Sequence, residues 1–165
     1  MQTVSDRKVR ADAGERADFP NLGSRYVLRG DSSDGRFALI EHTIPPRTLA
    51  APTHVHERED EYSFVLAGRM GAQIGDAVVE AEPGELVLKP RGIPHAFWNA
   101  GDDEARVLEI ISPAGFEQYF ADLAPELARE GERDLEALAE IRARYGLTID
   151  VASIEALIEQ HGLRT

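Results

Sequence analysis

The sequence predicts a mainly β protein: an antiparallel sandwich or barrel carrying a helical extension at its C-terminal end. Three observations carry this. From about Arg25 to Ser112, short runs of β-branched, aromatic and aliphatic residues follow one another without a helix-length periodic segment. Turn residues punctuate them roughly every ten positions, the rhythm of an antiparallel fold. After Ser112 the apolar period changes from two to that of a helix.

The first twenty residues are polar and of mixed charge (Arg7, Lys8, Arg10, Asp12, Glu15) and read as a flexible arm. Tyr26–Leu28, Phe37–Ile44, Tyr62–Leu66, Val78–Val79, Leu86–Leu88, Ala96–Trp98 and Val107–Ile111 read as strands. Asp34-Gly35, Pro45-Pro46, Gly75-Asp76, Pro83-Gly84, Arg91-Gly92 and Gly101-Asp102 supply the turns between them. Ser112-Pro113 has the form of a helix start, a capping hydroxyl followed by proline. Phe116, Tyr119, Phe120 and Leu123 then share one helical face, and Pro125 restarts or kinks that helix. Leu135, Leu138, Ile141 and Tyr145 mark a second helix ending at Gly146. Val151, Ile154, Leu157 and Ile158 mark a third, capped by Asp150 and closed by Gly162. The expected organisation is an arm over 1–20, a barrel over 21–112, and helices over 113–165 packed on that barrel.

At 165 residues, 42% of them hydrophobic, the chain suits one domain with a sizeable core. No run reaches membrane-spanning length, and the N-terminus lacks the apolar stretch of a secretory signal. A soluble, cytoplasmic protein is expected. There are no cysteines, which excludes disulfides, thiolate metal sites and cysteine nucleophiles. Thirty acidic against eighteen basic residues give a net charge of −12, a surface that repels phosphate backbones and anionic lipids. Neither nucleic acid nor a membrane is an expected partner.

His54-Val55-His56 is the first feature with chemistry in it. In a strand the two imidazoles project from the same face. If a turn ends near Asp60, Glu61 opens the next strand, with Ser63 and Val65 facing as it does. His95 arrives from a later strand. Three imidazoles and one carboxylate suit a first-row divalent metal and leave positions open for water, substrate or dioxygen. An isolated His-x-His in an acidic stretch is also compatible with a solvated turn. Glu59 and Asp60 are expected to face solvent, and His42 and His161 stay outside the site, His42 at a core edge or pocket rim and His161 at a helix end.

The wider spacing decides between these readings. His54-x-His56, four residues, Glu61, six residues and Gly68 form one string; Gly84, five residues, Pro90-x-Gly92, two residues, His95, three residues and Asn99 form another. Both resemble the two signature motifs of the cupin superfamily. The resemblance implies a double-stranded β-helix (the jelly-roll or cupin barrel), with His54, His56, Glu61 and His95 as the ligands of one divalent transition metal per chain: Fe, Mn, Ni, Co, Cu or Zn. Gly68, Gly84, Pro90, Gly92 and Asn99 fall on the structural positions of the motifs.

Residues 35–123 further resemble the small bacterial single-domain cupins related to quercetin (flavonol) dioxygenases. The stretches that carry this are HVHEREDEYSFVLAG (54–68), PRGIPHAFWN (90–99) and ISPAGFE (111–117). That group implies a homodimer and dioxygenolytic cleavage of a small aromatic or enol-type substrate, with Glu61 doubling as catalytic proton acceptor. Two alternatives stand beside it: non-redox chemistry on the same ligands (isomerase, lyase or hydrolase), and a non-catalytic cupin that holds a metal or small ligand. An aromatic substrate pocket is not legible in Phe37, Leu39, Phe64, Met70, Ile74, Phe97 and Trp98, which read as core.

Overall fold

The computed structural model describes residues 8–129 and 134–164. In chain order the elements are β1 (Arg16–Phe19), β2 (Leu22–Leu28), β3 (Ala38–Ile44), β4 (Leu49–His56), β5 (Asp60–Ala67), β6 (Met70–Ile74), β7 (Ala77–Ala81), β8 (Leu86–Lys89), β9 (His95–Asn99), β10 (Ala105–Ser112), α1 (Glu117–Leu127), α2 (Leu135–Arg144), β11 (Leu147–Ile149) and α3 (Ser153–His161). The strands make a six-stranded sheet, β1-β2-β3-β10-β5-β8, and a five-stranded sheet, β11-β4-β9-β6-β7. Every pairing between these strands is antiparallel. Together they form the double-stranded β-helix expected from the sequence.

Alternation explains why the sheets close face to face. Along β3, Ala38, Ile40, His42 and Ile44 are buried; along β10, Ala105, Val107, Glu109 and Ile111 are buried. Period-2 patterning thus gives each strand one inward face. Ile44, Val65, Met70, Val87, Phe97 and Val107 fill one end of the space between the sheets. Tyr26, Ile40, Ile111, Phe116, Tyr119, Ile141 and Leu147 fill the other, where α1 and α2 pack. Trp98 faces outward from β9 and is covered by Leu157 and Leu163 of the C-terminal segment.

Two motif positions have clear local reasons. A Cβ on Gly68 (φ +73°) would lie 2.7 Å from the Ala105 backbone, so only glycine fits this turn. Asn99 closes β9 by donating from Nδ2 to the carbonyls of Ile44 and Asp103 and accepting from the Gly101 amide.

The structure departs from the sequence expectations at the ends of the barrel. The arm expected over 1–20 is not free throughout: Arg16–Phe19 pairs with Leu22–Arg25, and Ala17 enters the core. Residues 1–7 of that arm lie outside the described residues. Ser112 does not start a helix. It ends β10 opposite Asp60, and its hydroxyl donates to the Arg36 carbonyl. The helix begins at Glu117, whose carboxylate accepts from the amides of Gly115 and Gly30. Pro125 sits inside α1 and neither restarts nor ends it. In α2, Leu138 and Ile141 are buried, whereas Leu135 is 76% exposed and leaves the expected apolar face. The extension is also not purely helical, because β11 adds a strand alongside β4.

Candidate metal centre

The cluster joins the two sheets. His54 and His56 are the buried positions at the end of β4, and His95 opens β9 directly opposite His54. Glu61 comes from the other sheet, on β5, where Glu61, Ser63 and Val65 are buried and Tyr62 and Phe64 are not, as the alternation predicts. The turn that delivers His95 is tied to the first motif by the Gly92 amide, which donates to the His56 carbonyl at 2.8 Å.

One donor atom from each of His54, His56, Glu61 and His95 lies within 4.8 Å of the others, and all four side chains are buried. That spread is close to twice a metal–ligand bond of about 2.1 Å, the reach across a single ion. The ring tautomers are set from outside the cluster. His54 Nδ1 donates to the Pro52 carbonyl at 2.7 Å, and His95 Nδ1 donates to the Ile93 carbonyl at 2.9 Å. Each therefore turns a bare Nε2 toward the centre, the outer-shell arrangement of metal-binding histidines. His56 Nε2 and His95 Nε2 are buried without a protein hydrogen-bond partner. Buried imidazole nitrogens seldom go unpaired, and a divalent ion would satisfy them. The residues present fit a metal.

Electrostatics agree. Burial, reinforced by the neighbouring imidazoles of His95 and His56, holds His54 well below the usual histidine pKa; burial likewise lowers that of His95. Both are kept in the neutral, ligating form. Burial pushes the Glu61 carboxyl upward, but Lys89 and then His56 and His95 outweigh it and keep Glu61 well below the ordinary carboxylate range.

Several residues around the centre were not anticipated. Glu59 does not face solvent: it is 5% exposed, and Oε2 lies 3.6 Å from His56 Nδ1. The β4–β5 turn folds it back behind the imidazole. Asp60 does lie at the rim, held by Arg91 with its pKa lowered to about 2. Lys89 and Glu109 are fully buried beside Glu61. Phe116 sets its ring edge-on to His56, with 4.2 Å between centroids. His42 faces the interior, with Nδ1 3.0 Å from Ser24 Oγ. Burial, then Lys89, lower its pKa to about 4. His161 stacks on Trp98, 4.2 Å between centroids, and is not among the clustered donors.

The cluster borders a cavity of about 540 Å³. Leu22, Phe97, Phe116, Tyr119, Phe120 and Leu123 give it apolar walls, and His42, Lys89 and Glu109 are the polar groups beside the ligands. Aromatic rings do line this cavity, Tyr119 and Phe120 from α1 and Phe116 just before it; of the seven residues named from the sequence, only Phe97 lines it.

Comparison with known proteins points the same way. Residues 40–111 match the family model of the cupin domain. The protein SchB of Streptomyces halstedii is 32% identical over 60 residues, which is 36% of this chain; the chain spans 44% of that relative's length. The polyketide cyclase RemF of Streptomyces resistomycificus is 27% identical, with a TM-score of 0.55 over 65% of this chain and 79% of its own. A predicted oxalate decarboxylase of Thermotoga maritima is 18% identical, with a TM-score of 0.60 over 64% and 98%, a likeness of fold. Among the described residues, no helix is long and apolar enough to cross a membrane. The double-stranded β-helix, the four clustered donors and the matched segment identify residues 40–111 as a cupin domain.

Proposed function

We propose that this protein is a metal-dependent enzyme that moves a proton on a compact aromatic or enol-type substrate, without net redox change. One divalent transition metal per chain would be held by His54, His56, Glu61 and His95. The observation that carries this reading is the junction of the ligand cluster with an aromatic-walled cavity of about 540 Å³, a size that takes a small-molecule substrate. A bound divalent ion supplies Lewis acidity that lowers the pKa of a hydroxyl or enol placed beside it.

The chain's own residues do the rest. Phe97, Phe116, Tyr119 and Phe120 stack against a planar substrate and exclude water. Glu61, ionised at the cluster, accepts at Oε a proton from a hydroxyl or enol that the metal would acidify, as its lowered pKa requires. Neutral His42, fixed by Ser24, hydrogen-bonds a substrate hydroxyl or carbonyl on the wall. The likeness to a polyketide cyclase supports the non-redox course. The donor set favours a second reading, dioxygenolytic cleavage as in the flavonol dioxygenases, because three imidazoles and one carboxylate leave positions open for both substrate and dioxygen. We place the protein in the cytoplasm, consistent with its lack of cysteine.

The test offers a flavonol and an aromatic poly-β-ketone to protein reconstituted with each candidate metal, and follows oxygen uptake and solvent deuterium incorporation together. Deuterium entry without oxygen uptake supports proton transfer. Stoichiometric oxygen consumption transfers support to the dioxygenase. No turnover and no shift in melting temperature with either compound counts against the enzyme reading.

A further inference from the structure

Beside the ligand cluster lies a second, buried set of charges at positions that neither motif specifies. Lys89 Nζ is 2.9 Å from Glu61 Oε2 and 2.9 Å from Glu109 Oε2. Ser63 Oγ donates to the same Glu109 oxygen at 2.8 Å. Lys89, Ser63 and Glu109 are at most 1% exposed, and the ammonium stands 4.5 Å from the centre of the Phe97 ring. Register makes this arrangement: Glu61 pairs with Lys89 across β5 and β8, and Ser63 pairs with Glu109 across β5 and β10. One buried ammonium therefore serves two carboxylates, and one of those carboxylates belongs to the metal cluster.

We propose that Lys89 is a positioning residue that acts as an internal counter-cation, sharing Glu61 with the metal, and that Glu109 sets how firmly it does so. This rests on the metal reading above. An isolated buried carboxylate is costly, and a fixed ammonium relieves that cost in the metal-free protein. The same ammonium would repel an incoming divalent ion and holds one oxygen, Oε2, of the carboxylate that the ion would share. Lys89 thus stabilises the metal-free fold and weakens metal binding. Glu109 moderates this by drawing part of the ammonium's charge away from Glu61.

The consequence is a pair of opposite effects. Lys89→Met removes the competing cation, so Zn²⁺ should bind at least about tenfold more tightly. Its metal-free form should melt lower, and its gain in melting temperature on adding Zn²⁺ should exceed that of the unmodified protein. Glu109→Gln leaves Lys89 with Glu61 as its sole charged partner, so Zn²⁺ should bind about threefold or more weakly. A merely structural role for both residues moves the two affinities in the same direction. The experiment is competitive Zn²⁺ titration by calorimetry of the full chain and both variants, with melting curves in chelator, and His56→Ala as the control. Opposite displacements support the proposal; parallel losses, or no change in either, overturn it. If Lys89→Met does not fold, Glu109→Gln decides alone, and unchanged or tighter binding overturns the proposal. Unmodified protein that binds no Zn²⁺, or binds it undiminished after His56→Ala, overturns the metal reading and this proposal with it.

Discussion

His42 makes the stability of this fold sensitive to acid by a calculable amount. It sits on the inner face of β3, 2% exposed, with Ser24 on one ring nitrogen and Phe97 and Phe120 rings 6.3 and 5.7 Å away. Burial, then the Lys89 charge, depress its pKa from 6.5 to about 4. The folded state therefore holds the neutral ring while the unfolded chain takes up a proton near pH 6.5. Such a group contributes stability that is present above the unfolded pKa and lost as pH falls toward the folded one. A fall from 6.5 to about 4 sets a ceiling of roughly 3 kcal/mol, of which about 2 kcal/mol falls between pH 7 and pH 4.5. His54 and His95 are displaced in the same direction and steepen the same decline. We expect urea unfolding in the presence of chelator to show the loss, and His42→Gln to flatten the pH dependence by about 2 kcal/mol across that interval. The comparison is of slopes, because the substitution also shifts the absolute stability. Identical slopes for the two proteins would refute the assignment of a neutral, buried His42.

Three further outcomes follow from the site and its surroundings. Glu61→Gln keeps the shape and one ligand oxygen, so it should retain a good part of the metal while turnover on an identified substrate falls about 10²- to 10⁴-fold; wild-type turnover would remove Glu61 from catalysis. Glu59→Gln should weaken metal binding about 10- to 100-fold, as loss of an outer carboxylate behind a ligating imidazole does, and titration showing no change would return Glu59 to a packing role. We also propose that the chain is a homodimer joined through the outer face of the six-stranded sheet, where Leu66, Leu86 and Leu88 are exposed. Light scattering should give twice the chain mass and Leu88→Lys should halve it, whereas a monomer mass across micromolar concentrations would exclude the dimer.

The parts of this molecule that were legible in the sequence are those written in local patterns. Strand alternation on β3, β5 and β10 marks the inward faces, and the motif spacing groups His54, His56, Glu61 and His95. What stayed hidden depends on pairing between distant segments. β1 looked like part of a polar arm because Arg16 and Asp18 flank the single inward Ala17. β11 has three residues between two helices, too short for alternation to register, and only its pairing with β4 makes it a strand. Glu59 was hidden in an acidic run that resembles a solvated turn. Lys89 and Glu109 did leave a signal. Lys89 shares a face with Val87, and Glu109 shares one with Val107 and Ile111, so alternation turned both charges inward. Their partners, however, come from register across three strands, which the sequence does not display.

The proposed function and the role of Lys89 both require that the four clustered side chains bind one transition metal. Elemental analysis of protein purified without added metal or chelator tests it most directly, run beside His56→Ala and His95→Ala. We expect about one ion per chain in the unmodified protein and loss of most of it in both variants, with far-ultraviolet circular dichroism unchanged because the apolar core between the sheets does not contain the ion. Metal content that is the same in all three proteins would contradict the account.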